Sequence, residues 1–174
     1  MKTINTNVRL PIFKYKVDTH ETIKPLILED IKEMGSYSLI DKYQHITNTD
    51  WHLNESFNRP YFKHIDPHIQ NICNELKNRL GYVESKIMLL NYWFQQYTKG
   101  DHHIWHNHIK SLFSAVYYVN LQNDNPKTSF RLGNEEFDIS VKESEILIFP
   151  SFLEHTSKEN KSEYTKTIVS FNLT

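Results

Sequence analysis

The amino-acid sequence predicts an α+β chain, mainly β, in which helices pack on the outside of a small antiparallel jelly roll. Three observations carry that reading. Two segments before residue 81 repeat apolar residues at the helical period; beyond Tyr82 the apolar residues fall into short runs rich in β-branched and aromatic side chains; and turn signals divide those runs too closely for alternating βαβ units.

From Thr22 to Met34, Ile23, Leu26, Ile27 and Ile31 form the stripe of an amphipathic helix, with Pro25 in its first turn and Gly35 ending it. A second helix is expected from Asp66 as N-cap and Pro67 as first helical residue, with Ile69, Ile72, Cys73, Leu76 and Leu80 on one face before Gly81. Between them, Ser36 to Pro60, which contains Asn48-Thr49-Asp50-Trp51, reads as a short strand or irregular loop. Strands are then expected over Ile87 to Tyr97, Phe113 to Leu121, Glu135 to Val141, Glu145 to Phe149 and Thr165 to Leu173. Asn123-Asp124-Asn125-Pro126 and Gly133-Asn134 are the turn signals among them. No repeat or linker interrupts the chain. Residues 1–174 are therefore expected to form one domain, with 1–81 a helical and irregular support and 82–174 the β core.

Composition excludes several classes of function. The 174 residues, 39% hydrophobic and 24% charged, suffice for a buried core, and a net charge of -1 gives no general reason to expect nucleic acid or an anionic membrane as partner. The single cysteine, Cys73, cannot form an internal disulfide, and the opening MKTINTNVRLPIF lacks an apolar signal-peptide core, so a cytoplasmic location is expected. No apolar run is long enough to cross a bilayer. Only four glycines are present, with no G-x-G-x-x-G, Walker or G-x-S-x-G pattern, which argues against a phosphate cradle or a serine-nucleophile elbow. Cys73 lies on the apolar stripe of its helix, an unattractive position for a nucleophile.

Histidine is where the composition departs from the ordinary. There are ten, and four fall at His102, His103, His106 and His108. Trp105-His106-Asn107-His108 reads as a loop-like stretch before a strand, and alternation would turn His106 and His108 to one side. With His155 arriving from the end of a distant strand, they make a plausible facial set for one divalent transition metal, with positions left open for substrate or oxygen. The competing reading is surface histidine of no consequence, which is where His102 and His103 fall, although Asp101 or His103 can also act as outer partners of metal ligands.

The order of the blocks extends this reading. His106-Asn107-His108, Ser114-Ala115-Val116-Tyr117-Tyr118-Val119, Phe149-Pro150-Ser151-Phe152-Leu153-Glu154-His155 and Lys166 to Ser170-Phe171-Asn172 together resemble the 2-oxoglutarate and Fe(II)-dependent oxygenase superfamily. The resemblance is greatest to a small bacterial and phage group with H-x-H, S-G-V-Y-Y, F-P-S-W-L-x-H and R-I-S-I-S-F-N motifs, and it covers residues 88–172. It implies a double-stranded β-helix holding one Fe(II), with His106, His108 and His155 as catalytic metal ligands. It further implies 2-oxoglutarate and O2 as cosubstrates, Lys166 as the anchor of the far carboxylate, and hydroxylation of a small-molecule or side-chain substrate as the reaction. Two positions depart from the pattern. His108 stands where the wider superfamily has Asp, and Lys166 and Ile168 stand where the group has Arg and Ser. Three neutral imidazoles leave the metal's charge at +2, which a 2-oxoglutarate dianion would neutralise directly, while lysine offers a point charge in place of a bidentate fork.

Strand parity turns Lys166, Ser170 and Asn172 inward together. Asn91, Trp93, Tyr97, Tyr117 and Tyr118 lie on strands that the resemblance places near the cofactor, with core packing as their competing role. Arg131 and Trp105 are candidate substrate contacts, a solvated surface position being the alternative for Arg131. Two other functions remain open: a three-histidine cupin-type dioxygenase without 2-oxoglutarate, and a non-enzymatic ligand-binding jelly roll.

Overall fold

The computed structural model describes residues 9–35, 37–54, 56–81 and 86–174. Ser36 and Tyr82, where the sequence reading starts its irregular segment and its β half, lie outside them. The described residues form two helices, α1 (His20–Glu33) and α2 (Phe62–Leu80), and twelve strands. In chain order the strands are β1 (Phe13–Lys16), β2 (Leu39–Ile40), β3 (Gln44–Ile46), β4 (Asn48–Thr49), β5 (Leu89–Tyr97), β6 (His102–His106), β7 (Phe113–Asn120), β8 (Thr128–Leu132), β9 (Glu135–Asp138), β10 (Glu145–Pro150), β11 (Glu154–Ser157) and β12 (Lys166–Leu173). They build two six-stranded antiparallel sheets, ordered β1-β10-β7-β12-β5-β4 and β2-β3-β6-β11-β8-β9. This is the α+β, mainly β, double-stranded β-helix with flanking helices.

The helices cover the outer face of the first sheet. Ile65, Ile69, Ile72, Cys73 and Leu76 of α2, with Ile27 and Ile31 of α1, pack on Phe94, Tyr117, Ile146, Ile148, Val169 and Phe171. A second cluster, containing Tyr97, Val116, Tyr118, Phe130, Leu147, Phe149 and Ile168, fills the space between the sheets. Strand β12 is buried along its whole length because it lies between these two clusters, and truncating its one aromatic, Phe171, would cost about 3 to 5 kcal/mol.

Both helices begin earlier than the sequence suggests. The first turn of α1 is drawn in by His20, whose ring bonds the Tyr117 hydroxyl at 2.7 Å, so Pro25 falls in the second turn. In α2, Phe62 stacks on Tyr92 with ring centroids 3.9 Å apart and Ile65 is fully buried. That packing adds a turn ahead of Asp66, which is therefore no cap, and leaves Pro67 inside the helix without an amide for the Lys63 carbonyl. Gly81, in the left-handed region at φ 70°, ends it. The N-terminal part is also less purely supportive than expected, since β1 to β4 join both sheets.

Candidate metal centre and its cavity

Two strands and one turn bring the histidines together. His106 closes β6 and lies directly opposite His155 of β11 in the antiparallel register, the relation that holds cross-strand side chains closest. The sequence reading placed His106 in a loop and His155 at a strand end; both are strand residues. The chain leaves β6 after His106, and His108 sits in a turn pinned at three points. Its amide donates to the Ser151 carbonyl at 2.9 Å, and its own carbonyl accepts from the Ser111 amide at 3.1 Å and hydroxyl at 2.9 Å. Fully buried Leu153 anchors the turn that delivers His155.

One ring nitrogen from each of the three histidines lies within 4.8 Å of the others. The Nδ1–H of His106 donates to the Ile104 carbonyl at 2.8 Å, and that of His155 to the Leu153 carbonyl at 3.1 Å. A carbonyl can only accept, so both rings carry the proton on Nδ1 and turn the Nε2 lone pair inward. Burial holds all three imidazoles unprotonated at neutral pH: His155 is pushed well below its ordinary value, His106 is lowered, and His108 falls to about 4 with the nearby His106 adding to the effect. The donor set is three neutral nitrogens on one side of a pocket, which suits a divalent first-row metal. The residues fit an Fe(II) ion.

The cavity runs inward from these rings between the two sheets and opens to solvent. Along β6 and β11 the next paired residues are His103 and Ser157. His103 stacks on His106 at 4.0 Å between centroids. Ser157 accepts from Lys166 Nζ at 2.5 Å, and the Pro126 carbonyl accepts from the same atom at 3.1 Å. Lys166 is 1% exposed and its ammonium stands 4.3 Å from the centre of the Tyr97 ring. Among the described residues no carboxylate pairs with it. Burial, helped by Lys127, pulls it from 10.5 down to about 7.

The other sequence-derived candidates divide. Ser170 and Asn172 line the cavity, on the side their parity indicated, and Tyr97 and Trp93 line it as well. Tyr117 does not: it faces the helices, bonded to His20 and packed in the helix-side core, because its parity is opposite to that of Val116. Tyr118 faces between the sheets and donates to Thr128 Oγ1 at 2.8 Å. Asn91 lies on an adjacent groove and accepts from Asn172 Nδ2 at 2.8 Å. Arg131 is turned away from the cavity, bidentate with Glu154 at 3.0 and 3.1 Å and stacked 4.7 Å over Trp105. Its charge is already matched, which removes the reason to assign it a substrate. Asp101 is fully buried but serves the backbone, accepting from the Thr47 and Thr98 amides at 3.0 and 2.7 Å and from His45. Sequence reasoning missed Ser157 and Thr128, whose positions on unrecognised short strands concealed their inward parity.

No protein-family model and no curated protein sequence matches the chain. Solved structures do. A prolyl-4-hydroxylase from Pseudomonas putida superposes with a TM-score of 0.68 at 11% identity, over 94% of this chain and 92% of that one. The viral collagen prolyl hydroxylase of Paramecium Bursaria Chlorella virus-1, in its 2OG complex, gives 0.65 at 14% identity over 92% and 94%. SnoN, the non-heme alpha ketoglutarate dependent epimerase of nogalamycin biosynthesis, gives 0.70 at 10% identity over 95% and 78%. At these identities the likeness establishes the fold.

Proposed function

We propose that this protein is an Fe(II)- and 2-oxoglutarate-dependent oxygenase, and that it hydroxylates a small-molecule or side-chain substrate. The observation that carries the proposal is Lys166: a buried cation, without a carboxylate partner among the described residues, at the far end of the cavity that begins at three converging imidazoles. Placing a lysine there is costly, and an anionic ligand reaching from the histidines to the ammonium would offset the cost. His106, His108 and His155 would hold the metal, which when bound supplies O2 activation coupled to decarboxylation of 2-oxoglutarate to succinate. Ser157 and the Pro126 carbonyl hold the ammonium in place, Tyr97 closes the space around it, and the surrounding apolar wall of Phe149 and Ile168 excludes water. The structural neighbours named for 2OG- or alpha-ketoglutarate-dependent chemistry support the same reading.

Lys166→Ala tests it. Metal affinity should stay near that of the wild type while the dissociation constant for 2-oxoglutarate rises by the equivalent of roughly 2 to 5 kcal/mol, the usual cost of truncating one member of a buried charged pair. Lys166→Arg should recover part of the loss. Equal 2-oxoglutarate binding by the Ala variant would favour the three-histidine dioxygenase that works without this cosubstrate.

A further inference from the structure

We propose that the open edge of β5 beside the histidine cluster docks an extended, uncharged peptide segment, which adds to the sheet as a further strand and presents its target side chain at His108. The proposal rests on the oxygenase reading and names the substrate class for it.

Strand β5 is paired with β12 along its length, but on its other side β4 covers only Gln95 and Gln96. The next outward-facing residue, Phe94, has its amide bonded to Asp50 Oδ1 at 2.8 Å and its carbonyl to the Thr49 hydroxyl at 2.6 Å. Side chains thus terminate the sheet at that point. Antiparallel alternation sends the Tyr92 amide and carbonyl to the same edge, and among the described residues no backbone group meets them. A free edge pairs readily with another backbone.

That edge opens on a groove lined by Trp51, Leu53, Arg59, Leu90, Tyr92 and Trp93. Trp51 and Leu90 are about half exposed, at 47% and 48%, and Trp51 and Trp93 lie edge-on to each other with centroids 4.4 Å apart. Both rings reach the candidate metal centre, 6.4 and 5.6 Å from the His108 ring. Arg59 is the groove's cation, and its donors are fully engaged: Nε with Asp50 at 2.7 Å, and both terminal nitrogens with the carbonyls of Asp50, Leu53, Asn54 and Phe57 at 3.1 to 3.4 Å. No charge is left to recognise an ionic ligand. Unsatisfied main-chain groups above an aromatic floor match an extended backbone with neutral side chains; a compact small molecule would leave the edge unpaired.

The test uses the full chain loaded with Zn(II), which keeps binding separate from turnover. End-capped random decapeptides are selected from a library, and the tightest binder is remade with alternate backbone amides N-methylated. The expected results are neutral central residues in the selected peptides, at least tenfold weaker binding to Trp51→Ala, loss of binding in one of the two N-methylated phases, and hydrogen-exchange protection of the Tyr92 amide on binding. Failure to select any binder, unchanged binding to Trp51→Ala, or protection that omits Tyr92 would overturn the proposal. So would Tyr92 protection that grows with protein concentration in the absence of peptide, which would assign the edge to a second copy of the chain. Titration of 2-oxoglutarate into the same sample reads the oxygenase proposal separately: peptide binding without 2-oxoglutarate binding would remove the reaction and leave the docking site.

Discussion

The two faces of the first sheet share one backbone and differ in what they bury. In β12, Val169, Phe171 and Leu173 face the helices, while Lys166, Ser170 and Asn172 share the opposite face with Ile168 and line the cavity. In β6 and β11 the enclosed positions are His103, His106, His155 and Ser157, and the cavity lies where packing atoms would otherwise be. The helix-facing side of the first sheet is an apolar wall, and the space between the sheets is a polar chamber to which both sheets contribute. Stability should therefore be concentrated in one and ligand binding in the other, and substitutions in each should move different observables.

The largest change in stability is expected on the helix side. Phe171→Ala removes a fully buried ring from the core between β12 and the helices and should cost about 3 to 5 kcal/mol in urea unfolding, with metal stoichiometry intact in the molecules that remain folded. If Phe171→Ala instead lowered metal affinity without lowering stability, the division between apolar wall and polar chamber would be wrong. His155→Ala should behave in the opposite sense. It removes a buried imidazole that is already costly to enclose, so the loss of stability should stay near about 1 kcal/mol, while bound metal, counted by elemental analysis, falls from one equivalent toward none. Full stoichiometry in a folded His155→Ala protein would remove this histidine from the metal centre.

A separate effect is expected from Lys166, through pH. Its folded value is about 7 against 10.5 for the free side chain, so between those two pH values the unfolded chain binds more protons than the folded one. Stability must then rise with pH across that window, and the gain is lost as pH falls through about 7. Urea midpoints compared at pH 7 and pH 9.5 should show this rise in the wild type and not in Lys166→Met. Saturating 2-oxoglutarate should flatten it, because a bound carboxylate would hold the ammonium protonated. An identical slope in both proteins would mean that the lysine is better solvated than its burial implies.

The same contrast explains what was legible in the sequence. Phe113 to Leu121 and Thr165 to Leu173 announce themselves as strands because each carries a run of β-branched and aromatic residues, and they match β7 and β12 to within a residue. His102–His106 and Glu154–Ser157 carry no such pattern. Their inward residues are polar because they line a cavity, so the rule that identifies a half-buried strand fails at the strands that build the site. The histidine spacing was readable in spite of this, since H-x-H with a distal His follows from ligand chemistry and not from burial. Tyr117 was misplaced for a related reason: a wholly buried strand gives no alternation from which to choose the cavity side. The early starts of both helices were also invisible, because long-range contacts of His20, Phe62 and Ile65 set them and local capping did not.

The most direct test of the central claim is an anaerobic calorimetric titration of 2-oxoglutarate into the wild-type chain, first metal-free and then with one equivalent of Fe(II). The account predicts a single cosubstrate site that appears only with the metal present, because the histidines hold one end of the ligand through the ion and Lys166 holds the other. Stoichiometric Fe(II) with no 2-oxoglutarate binding would contradict it.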